Sequence, residues 1–462
     1  MHGLSSTMAF FRLSSPAIFW VPFLAIIFYP YQILGHVLDP STCSSPNHHS
    51  LIAERHHGLP TCPLPIDEES AIDTGSWAPW KRRPYCVEPF MQDADVGGPQ
   101  FCVYAFEPFR GAQGGLSIVT MPVLAATLVN SLDDSVVPPK LRDHPSSSLA
   151  AAEKEEEEEG EEGNRTAFAI RDVPGKGKGL VAQREIRKWE LVLVDYPAML
   201  AHMDLFDVVG AETRQDLLER ALKQLPERQR GELLSLARTH GGEPIEDILR
   251  TNIFGVELGI EIPHLGLFPI ASRINHDCRP NVFWRWSVRT LTVEVIAMRD
   301  IETGEEITQS YVPLGLSYED RKEDLKNWGF SCACSLCTAS RSERSASDKR
   351  RARLQHIYHE LNEGATGKAE LTADTIYGLA DEMESLVREE KLEAQLLVHY
   401  GAVARAYMRA GKLEAARKYV ELCEDLWVRY AGEEEDYLAG MHQLRHELSE
   451  REKKAAAREN YV

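Results

Sequence analysis

The sequence predicts an α+β protein: a β-rich core interrupted by a helical insert, a cysteine-rich zinc module behind it, and a helical carboxy-terminal region. Three observations predict it. Strand-like alternation flanks a glycine-rich turn between residues 166 and 200 and returns between residues 282 and 311, the period of a half-buried sheet. Leucines take helical spacing through residues 211–251, and helical patterns resume after residue 345. Cys332, Cys334 and Cys337 crowd three thiols into one short run, a spacing that wraps a segment round a single ion.

At 462 residues the chain exceeds one ordinary core, so two or three domains are expected, and an apolar content of 43% can fill them. The net charge of -20 argues against wrapping nucleic acid nonspecifically and favours a basic protein partner. Solubility alone would account for it equally well.

Residues 1–38 carry one early cation, Arg12, then the uncharged run Ala17 to Leu34, broken by Pro22 and Pro30. The run falls between the apolar middle of a signal peptide, about 7–15 residues, and a spanning helix of about 20. The prolines weaken the second reading, so a cleaved signal peptide is preferred and a membrane anchor comes next. Residues 39–145 form a small region in which Cys43, Cys62, Cys86 and Cys102 show no C-x-x-C pair. That suits disulfides in an oxidising lumen, with three pairings open, and two short apolar runs would make a disulfide-tied β unit. His48, His49, His56 and His57 read as part of a solvated linker rather than a metal site. Residues 146–164 hold an almost continuous glutamate block, expected to be a disordered spacer. Asn164-Arg165-Thr166 is a glycosylation sequon that matters only in a lumen. Metal thiolates belong more naturally to a reducing compartment, so localisation stays open between the secretory pathway or a membrane and the cytoplasm or nucleus.

The core spans residues 165–312, with its helical insert at about 205–252. Gly175, Lys176, Gly177, Lys178 and Gly179 make a turn whose glycines permit positive φ and close approach. It is either a plain hairpin or a cradle for an anionic ligand end. Residues 273–281 read RINHDCRPN, where Asn275 and His276 offer donors and acceptors in little space; a metal-ligand or core role for His276 competes. The block GEEITQSY follows, ending at Tyr311. In residues 313–340 the three clustered cysteines leave one tetrahedral corner open. Cys278 is the candidate to close it as a structural zinc site, since Cys423 is the only other cysteine in this half.

These blocks, in this order, resemble the core of the SET-domain protein-lysine methyltransferases. The split layout is like that of the SET and MYND proteins, without a MYND cysteine array ahead of the core, and the leader looks like that of a fungal branch. The resemblance implies S-adenosylmethionine bound by Lys176, Gly177, Lys178, Gly179, Asn252, Ser272, Ile274, Asn275, His276, Tyr311 and Phe330. It implies Tyr311 as the catalytic tyrosine, zinc on Cys278, Cys332, Cys334 and Cys337, and a basic substrate protein of the histone or ribosomal class presenting a lysine. Two positions depart from the family: Asp277 stands where serine is frequent, and Trp328 where a second tyrosine is common. Residues 345–462 read as helices with one weak tetratricopeptide-like pair, expected to wall the substrate groove. A monomer with no sequence-specific nucleic-acid binding is expected. The alternatives are a SET-fold binding module without turnover and a scaffold recruiting partners through its helical end.

Overall fold

The computed structural model describes residues 79–87, 100–111, 114–145, 166–259, 262–432 and 435–459. The leader, Cys43, Cys62, the four histidines, the acidic run and Asn164 lie outside these residues. Strands β1 (Tyr85–Val87), β2 (Phe101–Phe106) and β3 (Leu116–Thr120) come first, then short helices α1 (Pro122–Thr127) and α2 (Pro139–Arg142). Strands β4 (Phe168–Val173) and β5 (Gly177–Ala182) form the hairpin of the glycine turn, followed by β6 (Leu191–Asp195) and β7 (Met199–His202). The insert supplies α3 (Leu205–Val208), α4 (Ala211–Lys223), α5 (Glu227–Leu234) and α6 (Pro244–Thr251). After it come β8 (Phe254–Leu258), β9 (Ile262–Leu267), β10 (Asn275–His276), β11 (Val282–Ser287), β12 (Thr292–Ala297) and β13 (Glu306–Gln309). Helices α7 (Tyr318–Leu325), α8 (Arg341–Thr366), α9 (Ala373–Glu390), α10 (Leu396–Arg409), α11 (Leu413–Ala431) and α12 (Glu435–Glu459) complete the chain.

Three sheets carry the core, ordered β1-β2-β3-β7-β9-β8, β10-β13-β5-β4 and β11-β12-β6. The first joins the amino-terminal region to the core, because β3 pairs in parallel with β7, Ile118 opposite Leu200. Within the described part of residues 39–145, Tyr85–Val87, Phe101–Phe106 and Leu116–Thr120 therefore belong to the same sheet as β7, β9 and β8. The physical reason is burial on both faces: all five residues of β3 are buried. Val119 and Phe101 pack with Leu217 and Leu218 of α4 on one side, and Ile118 and Tyr104 pack with the main core on the other. Cys86 and Cys102, opposite each other on β1 and β2, form a disulfide.

The last helices dock on the core through the outer face of the three-stranded sheet. Phe283, Ile296 and Met298 share a buried cluster with Ile357, Met383, Val403 and Tyr430. Trp189 wedges its ring 5.3 Å from that of Tyr430, which lies 4.4 Å from Phe283. Helix α8 starts where it does because Ser340 and Glu343 form a reciprocal capping box, and it stops at Gly367, whose φ of 82° suits glycine. Among the described residues no helix is long and apolar enough to cross a membrane.

Candidate active site and metal centre

The sulfurs of Cys278, Cys332, Cys334 and Cys337 all lie within 4.8 Å of one another. Cys278 Sγ is 3.9 Å from that of Cys332 and 3.5 Å from that of Cys337. Tetrahedral zinc with bonds of about 2.3 Å would hold sulfurs about 3.8 Å apart, so the spacing fits. The surrounding charge fits as well. Arg351, 1% exposed, donates to the Cys278 carbonyl at 3.3 Å. Arg321, equally buried, shares the Leu316 carbonyl with Arg351, while its Nε and Nη2 find no partner among the described residues. Arg279, Arg350 and Arg351 converge on a single carboxylate, the fully buried Glu390. Arg350 also meets Glu389 at 3.5 Å, so four guanidiniums beside two carboxylates still leave positive charge over. Four thiolates on a divalent ion carry two negative charges that would offset it.

The segment ahead of Cys278 is held to β13 by strand pairing. Asn275 pairs with Thr308 and His276 with Gln309 in parallel. Asn281, 1% exposed, donates to the Glu306 carbonyl at 2.8 Å and accepts from the Thr308 N–H at 2.8 Å. His276 is committed on both ring nitrogens. Nδ1 accepts from the Tyr311 N–H at 3.0 Å, which leaves Nε2 as the donor, 3.3 Å from Cys278 Sγ. Burial holds this imidazole neutral, its pKa pushed down to about 3. The side chain of His276 therefore braces the sulfur cluster.

Tyr311 ends the element that β13 begins. Its hydroxyl donates to the Ile274 carbonyl at 2.8 Å. Its ring lies 4.8 Å from Trp328, 5.4 Å from His276 and 6.1 Å from Phe330, edge-on to the last. Burial first, and the Glu306 carboxylate second, raise its pKa above the ordinary phenol range, so it remains a protonated phenol near neutrality. Phe330, 36% exposed, presents bare ring surface beside this group.

The glycine turn reaches the same place through Glu306, which accepts from Lys176 Nζ at 2.6 Å and from Asn275 Nδ2 at 2.9 Å. Asn275 also donates to the Lys178 carbonyl at 3.3 Å, while the Lys178 ammonium turns outward to Asp172. Gly175 and Gly177 have φ of 75° and 74°. At Gly179 a Cβ would sit 2.7 Å from Asn275 Nδ2, so glycine there is what lets the turn close on Asn275. Asn252 and Ser272 form a separate pair behind the site. Ser272 Oγ donates to the Asn252 carbonyl at 3.0 Å, and Asn252 Nδ2 donates to the Ala237 carbonyl at 2.7 Å.

Three groups that sequence reasoning passed over hold these parts in place. Asp195, fully buried, accepts the N–H groups of Ile270 and Ala271 and so sets the entry to residues 273–281. Asp247 accepts three backbone N–H groups, from Thr239, His240 and Gly241. That shaped loop then grips the segment before Phe330: Thr239 Oγ1 donates to the Trp328 carbonyl at 3.1 Å, and His240 Nε2 meets the Asn327 carbonyl at 2.7 Å. Glu390 is the third, and it left a signal in the sequence. It extends the buried stripe Ile376, Ala380, Met383, Val387 by one more step, and a carboxylate there must find cations.

A β core in which residues 275–281 bond along β13, with Tyr311 delivered beside them and a cysteine cluster behind, is the arrangement expected of a SET-type fold. Residues 177–312 match the family model described as SET domain. It is 30% identical over 191 residues to the histone-lysine N-methyltransferase set5 of Schizosaccharomyces pombe, covering 41% of this chain and 56% of that one. It is 30% identical over 160 residues to the N-lysine methyltransferase SMYD2 of Homo sapiens, covering 32% and 36%. With the histone-lysine N-methyltransferase ATXR2 of Arabidopsis thaliana, identity is 43% over 72 residues, 15% of each chain. The chain thus spans just over half of the first of these relatives and less of the others.

Proposed function

We propose that this chain is a protein-lysine N-methyltransferase that uses S-adenosylmethionine and acts on a basic protein of the histone or ribosomal class. The observation that carries the reading is the Tyr311 phenol, anchored on the Ile274 carbonyl with its ring beside those of His276 and Phe330. When bound, the cofactor supplies a methyl group on a cationic sulfur, electrophilic toward an amine. The chain's own residues would hold it: Lys176, Gly177, Lys178 and Gly179 along the turn, Ile274, Asn275 and His276 by backbone and amide, and Phe330 by its exposed ring. Asn252 and Ser272 bond each other, so they support this pocket's floor more readily than they reach a ligand. Displacement needs a neutral amine aligned with the methyl. A lysine ordinarily ionises near about 10.4, and desolvation in a closed channel would disfavour its ammonium form. Tyr311, protonated and fixed, orients the amine rather than taking its proton. Zinc enclosed by four thiolates has no open position, so its role is structural, and the tetratricopeptide-like helices α8 to α12 serve as its buttress.

The test is transfer of labelled methyl from S-adenosylmethionine to a panel of histones and ribosomal proteins. Wild type should label a lysine. Tyr311→Phe should label it at least about 100-fold more slowly, the cost typical of losing one oriented transition-state contact, with unchanged zinc content and thermal unfolding. Equal rates in the two would remove Tyr311 from the mechanism.

A further inference from the structure

The carboxylate of Glu306 lies between two side chains that the proposed pocket gives to the amino-acid end of the methyl donor. Strand β13 runs between β5 and β10, with Glu306 opposite Val181 on one side and Thr308 opposite Asn275 on the other. Glu306 Oε2 accepts from Lys176 Nζ at 2.6 Å, and Oε1 accepts from Asn275 Nδ2 at 2.9 Å. A Cβ on Gly179 would come 3.1 Å from that Oε1 and 2.7 Å from Asn275 Nδ2, so the bare glycine leaves the room in which carboxylate and amide meet. The two lysines of the turn differ in setting. The side chains of Lys176 and Glu306 are 26% and 19% exposed, those of Lys178 and Asp172 53% and 85%. Only the first pair is sheltered enough from water to hold a fixed geometry.

These bonds decide which atoms remain for a ligand. The Asn275 amide nitrogen faces two acceptors, Glu306 Oε1 and the Lys178 carbonyl at 3.3 Å. Neither can donate, so the amide has one orientation. Its Oδ1 is left as an acceptor with no hydrogen bond among the described residues. The Lys176 ammonium has three donors and gives one to Glu306. A free lysine stem samples many rotamers, and the ion pair narrows that choice before a ligand arrives. One carboxylate therefore sets a cationic donor and a neutral acceptor side by side. That pair is the complement of an α-carboxylate next to an α-ammonium.

We propose that Glu306 is a positioning residue that selects ligands carrying an amino-acid end, by fixing Lys176 as donor and Asn275 Oδ1 as acceptor. It acts through these two neighbours and not on the reacting atoms. The inference rests on the reading of this pocket as the S-adenosylmethionine site.

The experiment is calorimetry on the full chain with two ligands: S-adenosylmethionine, and methylthioadenosine, which keeps the nucleoside and the sulfur but lacks the amino-acid end. Glu306→Gln puts an amide nitrogen where one oxygen stood, so the side chain cannot accept from Lys176 and Asn275 together. It should weaken S-adenosylmethionine binding roughly ten-fold, the scale of one hydrogen bond to a charged group, and leave methylthioadenosine within about two-fold of wild type. Glu306→Asp keeps the charge but withdraws it by one methylene, and should show the same selectivity at about three-fold. In a Lys176→Met background, Glu306→Gln should cost less than it does in wild type, because one of its two partners is gone. An equal loss for both ligands would mean a merely structural role and overturn the proposal. So would unchanged S-adenosylmethionine affinity in both Glu306 variants at wild-type zinc content and unfolding temperature, which leaves the cofactor reading standing. A wild-type chain that binds neither nucleoside would overturn the cofactor reading and this inference with it.

Discussion

Tyr311 and Trp328 meet ring to ring at 4.8 Å, and the indole there cannot accept a hydrogen bond as a second phenol would. In the proposed reaction, one oxygen instead of two next to the amine would leave a partly methylated lysine freer to rotate for another round. Trp328→Tyr should therefore lower the number of methyl groups added per lysine, read by intact mass of the product, and an unchanged product distribution would sink that role. Away from the site, His264 and His202 lie buried with rings 4.9 Å apart. His264 accepts from Thr120 Oγ1 at 2.8 Å and donates to the Ile262 carbonyl at 2.9 Å, a neutral tautomer with both nitrogens satisfied. Burial lowers both pKa values, that of His264 to about 3 from an ordinary 6.5. The unfolded chain thus binds protons that the folded chain refuses, and stability falls as pH drops from about 6.5 toward 3. His264 contributes about 1.4 kcal/mol per pH unit in that window, and His202 acts in the same direction. Urea midpoints at pH 7.5, 6 and 5 should decline in step, and a flat profile would contradict the burial argument.

At the scale of elements, the segment 326–337 is held from two sides, by the sulfur cluster and by the loop at Thr239. Gly329 sits at φ 73°, with the place of a Cβ 2.6 Å from Thr239 Cβ. Gly329→Ala should force the two apart at a cost of roughly 1–3 kcal/mol. It should weaken cofactor binding, measured by calorimetry, more than it lowers the unfolding temperature. Cys334→Ser removes one of four ligands, and the expected result is a metal content well below one zinc per chain by elemental analysis. Amide exchange should then accelerate in residues 274–281 as well as 326–337, because Cys278 ties the first to the second. Full zinc retention would remove Cys334 from the ligand set.

Across the whole molecule, legibility followed locality. Three sulfurs within one short run can be read directly, and Cys278 joins them by elimination. The insert helices show in their leucine spacing. The direction of the His276 side chain does not show, since the letters of an Asn-His pair are the same whether the imidazole faces a ligand or a sulfur. Nor does the pairing of β3 with β7, which spans about eighty residues with no local mark. Helices α8 to α12 cover Phe283, Ile296 and Met298 and carry the carboxylate on which three arginines converge. A chain ending at residue 340 should accordingly be insoluble or lose its zinc on purification, and a monodisperse, metal-loaded fragment would show that the buttress is dispensable.

The β3–β7 pairing also bears on how the chain behaves when cut. A protease acting anywhere between residues 146 and 165 would sever the backbone but not the sheet. The two pieces should co-elute on gel filtration and part only in denaturant. A reagent truncated to begin at residue 166 would instead leave β7 with a bare hydrogen-bonding edge, an invitation to fibrous self-association.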